Sequence, residues 1–301
     1  MGDPAGVGPE VAAKAWDAFG GRVGTRPLKL VGDPAIFRTH GELGDNAFWP
    51  AARHAASESP QHASAKAVIG AIDEAVGAAL TGRAGAIVTA PIHKASLLEA
   101  GFPFAGHTEY LAQRTGASRA VMMLVGGTLR VVPLTIHIPL AEVPGAVSCS
   151  AIVETVEIVL ASLARDFSIE SPRLAIAGLN PHAGESGRLG REDIEIVTPA
   201  AETLRARGYL VSGPLPADTM FHEAARARYD AALCMYHDQA LIPLKTLAFW
   251  EGVNVTLGLP IVRTSPDHGT AFDIAGRGTA DARSMIAAVR MAAAMADARG
   301  A

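Results

Sequence analysis

The chain has 301 residues, of which 49% are hydrophobic and 19% are charged, and its formal net charge is -4 at pH 7. This composition is typical of a globular protein with a sizeable core and carries no signature of disorder. The net negative charge gives no electrostatic reason to expect a nucleic acid or an anionic membrane as a partner, so local cations must hold any anionic substrate.

The two cysteines, Cys149 and Cys234, lie far apart and outside any CxxC motif. The sequence therefore predicts neither a disulfide framework nor a cysteine zinc site, and a reducing cytoplasm is the expected location. No apolar run approaches the ~18 residues that a membrane span needs.

A glycine-rich turn, GDPAGVGPE, opens the chain with Gly2, Gly6 and Gly8. Such glycines can bring backbone amides close to a phosphate, but Val11 stands where the dinucleotide fingerprint needs its last glycine. A ligand loop and a structural turn are both open at this point. Turns of this kind usually follow a strand, so we expect that a first strand either lies upstream of Met1 or has been lost.

Apolar periodicity predicts alternating helices and strands through the rest of the chain, which indicates a mainly parallel sheet. Gly126 and Gly127 favour an antiparallel hairpin between two of the strands, and Ser148 is a predicted helix cap. Helices are predicted over residues 10–20, 59–82, 149–167, 193–207, 217–229 and 280–299. Strands are predicted over residues 28–32, 85–91, 121–125, 129–135, 174–180, 209–215, 231–236 and 253–260.

Three predicted strands run on to a histidine: VVPLTIH to His137, LAIAGLNPH to His182, and AALCMYHD to His237. Ligands bind outside the carboxyl ends of the strands in an open α/β sheet, so three imidazoles there can converge on one site. Neutral imidazole is the commonest protein ligand for zinc and related cations. From spacing alone, a shared metal site and three separately satisfied polar groups both remain open.

Lys245, Asn254 and Arg263 recur at intervals of nine residues. Lysine and arginine are natural partners of phosphate and carboxylate, yet the same residues can be surface charges on a solvated face. Arg263 lies in a segment dense in glycine, proline and aspartate, which predicts a structured loop.

Thr108, in GHTEYLAQ, is a predicted helix N-cap that follows His107. Asp218 and Asp238 can orient an imidazole, bind a cation, or act as turn and cap residues. The chain has neither the G-x-S-x-G elbow of serine hydrolases nor the H-E-x-x-H motif of zincins, which excludes those classes.

Six segments, in order along the chain, resemble the signature segments of the 4-hydroxythreonine-4-phosphate dehydrogenase (PdxA) family. They are GDPAGVGPE, GHTEYLA, THIPL, GLNPHAGE, MYHDQ and GLPIVRTSPDHGTAFDIAG. The resemblance covers essentially the whole chain. Two departures are the strand that normally precedes GDPAG, which is lacking here, and Ala240 at a position where glycine is expected.

The resemblance implies an isocitrate/isopropylmalate dehydrogenase-like α/β fold with two interwoven lobes and a cleft between them. We expect residues 1–115 and 250–301 in the first lobe, and residues 116–249 in a second lobe that carries the metal ligands and the dimer contact. The implied assembly is a homodimer with its active site at or near the subunit interface.

The resemblance also implies roles for individual residues. A divalent metal, zinc, magnesium or cobalt, is expected on His137, His182 and His237. The implied substrate contacts are His107, Thr108, Lys245, Asn254 and Arg263. Lys245, Asp218 and Asp238 are the catalytic candidates, with Lys245 either a phosphate ligand or a proton-transfer group. No residues are assigned to the expected cofactor, NAD or NADP.

The implied reaction is metal-dependent oxidation of 4-phosphohydroxy-L-threonine by NAD(P), followed by decarboxylation to 3-amino-2-oxopropyl phosphate, in the biosynthesis of pyridoxal 5'-phosphate (vitamin B6). Related enzymes oxidise erythronate or threonate 4-phosphate, or dihydrodiols of aromatic acids, and these substrates are the first alternative. An inactive ligand-binding paralogue is the remote alternative.

Overall fold

The structure is a computed structural model, and it describes residues 1–50, 60–93, 97–98, 104 and 106–300, without the side chains of residues 60–64. The helices of the described part are α1 (Gly8–Ala18), α2 (Pro34–Arg38), α3 (Pro60–Leu80), α4 (His107–Thr115), α5 (Val143–Ala146), α6 (Cys149–Phe167), α7 (Thr198–Ala206), α8 (Glu223–Arg226), α9 (His237–Ala248) and α10 (Arg283–Ala298). The strands are β1 (Arg22–Val23), β2 (Arg26–Pro27), β3 (Ile87–Val88), β4 (Val121–Gly126), β5 (Leu129–Pro133), β6 (Arg173–Ala177), β7 (Leu210–Leu215), β8 (Ala231–Cys234), β9 (Val253–Leu257) and β10 (Arg263–Pro266).

Most of the predicted elements are confirmed. Strands β4 and β5 form the expected antiparallel hairpin, with Gly126 paired to Leu129 across a two-residue turn. Ser148 caps α6, since its Oγ accepts a hydrogen bond of 3.2 Å from the backbone N–H of Ala151. The long predicted helix is α3, although Ser59, its predicted first residue, lies outside the described residues.

Two predicted elements are wrong. Residues 28–32 form no ladder, and only Leu30 makes a single bridge, to Phe48. The helix predicted over residues 217–229 reduces to a single turn at Ala217–Thr219 and the short α8. Between them Met220 is buried, and its carbonyl accepts a 2.8 Å hydrogen bond from the Tyr229 hydroxyl, so tertiary contacts override the local helical preference.

The chain divides into two compact units, of which unit 1 comprises Met1–Ala120 and Val253–Ala301. Its strands lie in the order β3, β10, β9, with β10 parallel to β3 and antiparallel to β9. Helix α10 packs on these strands and α1 packs on α10, while α3 packs against β3 and α4. Both ends of the chain therefore build one α/β unit.

Unit 2 comprises Val121–Gly252 and holds strands in the order β4, β5, β8, β6, β7. Strands β5, β8, β6 and β7 are parallel to one another. Helix α9 packs on β4, β5 and β8, and α6 packs on β4, β6 and α7. Since parallel strands have their carboxyl ends at one edge, the loops that follow β5, β8 and β6 emerge side by side.

Among the described residues, no single helix is both long enough and apolar enough to cross a membrane. Leu140–Ala146 and Cys149–Phe167, which are bent by 88° relative to each other, meet the length and composition test only as a pair. The inward face of α6, including Ile152, Val156 and Leu163, is buried in unit 2.

Candidate active site

Three histidines follow the carboxyl ends of three neighbouring parallel strands in unit 2. His137 comes after β5, His237 is the first residue of α9 after β8, and His182 comes after β6. The strand order β5, β8, β6 makes these three loops adjacent. The spacing of the histidines in the sequence does not predict this adjacency. The structure thus places all three predicted ligands in loops at one edge of the sheet.

Hydrogen bonds tie these loops to one another. Thr135, two residues before His137, donates through its hydroxyl to the carbonyl of Met235 at 2.8 Å. Gln239, two residues after His237, accepts from the Met235 N–H at 2.7 Å and donates from Nε2 to the carbonyl of Gly178 at 2.8 Å. Gln239 therefore joins the ends of β8 and β6 and fixes the loops that carry two of the histidines.

The loop of His182 has an unusual backbone. His182, Ala183, Glu185 and Ser186 all have positive φ, between 44° and 56°. Left-handed conformations cost a non-glycine residue roughly 1–2 kcal/mol each, so a run of them persists only where surrounding contacts hold it.

Asp193, at the start of a single π-helical turn over Asp193–Val197, supplies those contacts. The carboxylate is only 1% exposed and accepts from the N–H of Leu179 at 2.7 Å and from both the N–H and the side-chain amide of Asn180 at 3.0 Å. A Cβ added at Gly178 would lie 3.1 Å from Asp193 Oδ1 and 2.8 Å from the Cα of Ala183, so glycine is required there. Asp193 holds the base of the His182 loop, although sequence analysis did not single it out.

Asp193→Asn is expected to lower the free energy of unfolding by about 1–3 kcal/mol. The NH2 group of asparagine would replace one carboxylate oxygen, and it cannot accept the hydrogen bonds that this oxygen receives from Leu179 or Asn180. Urea unfolding measures the loss, and amide hydrogen exchange should quicken over residues 179–186. Glu195→Gln is the control on the same turn, since Glu195 is exposed and forms an ion pair with exposed Arg191. Equal stability of the two variants, or unchanged exchange in the loop, would contradict this role for Asp193.

Two of the three imidazoles have a carboxylate on Nδ1. His237 Nδ1 lies 2.6 Å from Asp238 Oδ1, and His182 Nδ1 lies 2.8 Å from Glu185 Oε2. The Glu185 hydrogen bond and charge, with a further contribution from the charge of Asp218, raise the pKa of His182. A carboxylate on Nδ1 fixes the tautomer that presents Nε2 to a metal ion.

The ring centroids of His137 and His237 are 6.1 Å apart. Within the part of the chain that the structure describes, no three His, Cys, Asp or Glu side chains form a group able to hold a metal ion. Within one chain, the rings of the predicted ligands His137 and His237 thus lie close together. His182 is hydrogen-bonded to Glu185, and its side chain is 65% exposed.

In unit 1, Arg263 is the first residue of strand β10. It does not lie in the loop that the sequence predicts. The side chain is 3% exposed, and its polar partners are the hydroxyls of Thr89 and Thr256, at 2.7–3.1 Å. Burial lowers the pKa of Arg263 to about 10. The structure shows no carboxylate beside it in the described residues, and two of its five N–H groups remain available, so an anion would complete this environment.

Asn254 lies on the neighbouring strand β9, opposite Ser265 of β10. Opposed residues of an antiparallel pair point to the same side, so Asn254, Thr256, Arg263 and Ser265 share one face. The side-chain Oδ1 of Asn254 is buried and has no hydrogen-bond partner among the described residues. This face therefore offers a buried cation and an unsatisfied acceptor, the features expected of a site for a polar ligand.

The remaining predicted residues divide between the two units. His107 and Thr108 begin α4 in unit 1, but Thr108 is not the N-cap, because Gly106 occupies that position. In unit 2, the half-buried Lys245 lies near the end of α9 with its ammonium 5.5 Å from the centre of the Phe249 ring. Asp218 is exposed in the Ala217–Thr219 turn, close enough for its charge to act on His182.

Packing explains the glycines of the opening turn. A Cβ added at Gly2 would lie 2.3 Å from the carbonyl oxygen of Pro91, and one at Gly6 would lie 2.9 Å from that of Thr270. At Gly8 an added Cβ would come within 3.2 Å of Ala90. These close approaches favour the structural turn over the ligand loop, and no cofactor-binding residue is assigned here.

Comparisons with known proteins agree with the fold. Residues 36–292 match the family model described as "Pyridoxal phosphate biosynthetic protein PdxA". A curated relative from Caulobacter vibrioides, named 4-hydroxythreonine-4-phosphate dehydrogenase, is 50% identical over 99% of this chain and 97% of its own length. The crystal structure of the enzyme of that name from Klebsiella pneumoniae superposes with a TM-score of 0.84 at 35% identity and covers 98% of each chain.

A terephthalate 1,2-cis-dihydrodiol dehydrogenase from Burkholderia xenovorans also superposes, with a TM-score of 0.66 at 28% identity over 98% of this chain and 96% of its own. These matches confirm the predicted α/β fold, which this chain shares with the solved 4-hydroxythreonine-4-phosphate dehydrogenase.

Proposed function

Since this chain belongs to the PdxA family of 4-hydroxythreonine-4-phosphate dehydrogenases, we propose that it oxidises 4-phosphohydroxy-L-threonine with NAD or NADP and a divalent metal. The product after decarboxylation is 3-amino-2-oxopropyl phosphate, an intermediate of vitamin B6 biosynthesis. The observation that carries the proposal is the set of three histidines in loops that follow three adjacent parallel strands. The proposed location is the cytoplasm, where Cys149 and Cys234 remain free thiols.

The chemistry of the donor set fits a divalent cation. We assign His137, His182 and His237 as its ligands, with Asp238 and Glu185 orienting two of the rings from Nδ1. Imidazole suits zinc and cobalt, whereas magnesium prefers oxygen ligands. A metal bound there would act as a Lewis acid on the substrate oxygens, and NAD or NADP would accept the hydride.

The chain's own residues bind and orient the phosphorylated substrate. Arg263, a buried guanidinium with hydroxyl partners and available N–H groups, would neutralise the phosphate as a planar fork. Asn254 would accept a hydrogen bond from a substrate hydroxyl or amine through its buried Oδ1. His107 and Thr108, at the start of α4, are further substrate contacts under this proposal.

Proton transfer is assigned to Lys245 or to the carboxylates of the histidine loops. The Lys245 ammonium lies against an aromatic ring, a position from which it can either contact the phosphate or donate and accept a proton. Asp238, at 2.6 Å from His237, and Asp218, near His182, would keep those imidazoles in the required tautomer and orientation.

A substrate panel tests the proposal. Turnover on 4-phosphohydroxy-L-threonine should exceed that on erythronate 4-phosphate, threonate 4-phosphate and an aromatic-acid dihydrodiol by about tenfold or more in kcat/KM, with NAD or NADP as acceptor. Preference for the dihydrodiol would indicate an activity similar to that of the dihydrodiol dehydrogenase from Burkholderia xenovorans. No cofactor reduction with any substrate would indicate a ligand-binding paralogue.

We also propose that the enzyme is a homodimer with its active site at or near the subunit interface. Large apolar side chains are exposed in the segment after His137 and on and after α9, and we propose that they lie in the interface, since contiguous apolar surface marks interaction sites. The exposed side chains are Ile138, Leu140, Ile242, Leu247, Phe249 and Trp250.

Ile242→Glu is expected to convert the dimer into a monomer, because Ile242 is 63% exposed on α9 and the substitution would bury a charge in the proposed interface. Sedimentation velocity should show twice the mass of the chain for the parent protein and one chain mass for the variant. Leu80→Glu, at an exposed leucine of unit 1, is the control and should leave the dimer intact. A parent protein that sediments as a monomer would remove the interface from the proposal.

A further inference from the structure

The pairing of strands β8 and β6 ends just before the loops that carry two of the proposed metal ligands. Their register places Ile176 opposite Leu233. Continued by two residues, the same register would place Gly178 opposite Met235. Gly178 instead donates its N–H to Leu215 of β7, at 2.7 Å. At this point, therefore, the ends of β8 and β6 need a link other than backbone pairing.

The side-chain amide of Gln239 lies between these two strand ends. Its Oε1 accepts from the N–H of Met235 at 2.7 Å, and its Nε2 donates to the carbonyl of Gly178 at 2.8 Å. The backbone of Gly178 is so close to Ala183 that an added Cβ would lie 2.8 Å from the Cα of Ala183. Since Ala183 follows His182, a movement of Gly178 would be passed to the His182 loop.

Strands β5 and β8 are joined differently at the same edge of the sheet. The N–H of Leu134 donates to the carbonyl of Cys234 at 2.8 Å, and the N–H of Thr135 donates to the carbonyl of Met235 at 3.2 Å. The Thr135 hydroxyl donates to the same carbonyl at 2.8 Å. Backbone hydrogen bonds thus hold the His137 loop against β8, and the Thr135 hydroxyl adds to them.

The chemistry of an amide suits the gap between β8 and β6. A glutamine side chain both accepts and donates, whereas an ionised glutamate only accepts and a methionine sulfur is only a weak acceptor. The length of the amide group fixes how far apart the two strand ends lie. Ligands of a metal ion must be held within about 0.5 Å of their productive positions, so this separation matters for binding.

We propose that Gln239 is a positioning residue, which sets the separation of the His182 and His237 loops and thereby the affinity for the divalent metal. The inference rests on the proposed function, in which both histidines are ligands. Gln239 acts through the backbone carbonyl and N–H at the ends of two strands, and not through the imidazole rings. Its effect on metal binding should therefore depend on the presence of His182.

Cobalt titration of the metal-stripped protein, followed by visible absorption, tests this role. Gln239→Met is similar in size but lacks the donor and has only a weak acceptor, so cobalt affinity should fall by about 10–100-fold. Gln239→Glu keeps the acceptor and should also bind more weakly, although its added negative charge alone would favour a cation. Gln113→Met, at an exposed glutamine of α4, is the matched control and should bind as the parent does.

Thr135→Val should lower cobalt affinity by less than about threefold, because the backbone N–H of residue 135 still bonds to Met235. The absorption bands of bound cobalt report the coordination geometry, and they should change in Gln239→Met but not in Thr135→Val. A loss in Thr135→Val as large as that in Gln239→Met would contradict a specific role of the amide.

A double-mutant comparison separates positioning from a general loss of stability. When Gln239→Met is added to His182→Ala, cobalt affinity should fall by less than about threefold further. Equal fold-losses with and without His182 would overturn the inference. So would parent-like affinity in Gln239→Met while His182→Ala still loses metal, a result that leaves the proposed function intact. A parent protein that binds no cobalt would contradict the metal-dependent function and the inference with it.

Discussion

His182→Ala is expected to lose bound metal and turnover together. Removal of an imidazole takes away one of three proposed ligands, and even partners that only orient a ligand typically contribute 10–100-fold in metal affinity or activity. We therefore expect metal affinity and kcat/KM to fall by more than about 100-fold. Metal analysis of the dialysed protein and steady-state turnover with the metal restored measure the two effects.

The design of this test uses the exposure of His182. The side chain is 65% exposed, so its truncation should leave the free energy of unfolding of the metal-free protein nearly unchanged. His222→Ala is the control, because His222 is an exposed histidine of unit 2 that has no proposed role. A His182→Ala protein with normal metal content and normal turnover would remove His182 from the site.

Arg263→Met is expected to raise the KM for the phosphorylated substrate and to lower kcat/KM by about 30-fold to several thousandfold. Loss of one partner of a buried charge pair costs about 2–5 kcal/mol or more, and the substrate phosphate would lose its buried cation. Arg263→Lys keeps the charge but not the planar fork, so it should restore binding only in part. Initial rates over a range of substrate concentrations separate KM from kcat.

Stability distinguishes this role from a structural one. A buried guanidinium without an anion is costly in the free protein, so an apolar side chain of similar length should leave the free energy of unfolding unchanged or higher. If Arg263 serves only to hold Thr89 and Thr256, the methionine variant would instead lose stability with KM unaffected. That second result would contradict phosphate binding.

The sequence predicted the elements that local pattern determines. The hairpin of β4 and β5 follows from its glycine turn, and the start of α6 follows from the Ser148 cap. The positions of His137, His182 and His237 after predicted strands were also visible. Their adjacency was not, because it depends on β8 lying between β5 and β6, which only the tertiary pairing of strands decides.

Errors arose where contacts distant in sequence override local preference. Thr108 has the chemistry of an N-cap, yet Gly106 takes that position. The predicted helix over residues 217–229 breaks at buried Met220. The glycine and proline around Arg263 favour a loop, but the pairing of β10 with β3 and β9 makes Arg263 a strand residue.

The residues that hold the histidine loops in place are the hardest to predict from the sequence. Asp193 is one acidic residue in an acidic stretch, and its buried contacts with Leu179 and Asn180 appear only when the chain is folded. Gln239, beside His237 and Asp238 in the sequence, had a stronger signal, since residues next to a ligand often orient it.

The most direct test of the proposed function is cofactor reduction with 4-phosphohydroxy-L-threonine by the metal-stripped protein, before and after a divalent metal is restored. We predict negligible turnover without metal and recovery with zinc or cobalt, with loss of carbon dioxide in step with reduced cofactor. Full turnover in the stripped protein, or none on this substrate after metal is restored, would contradict a metal-dependent oxidation at the three histidines.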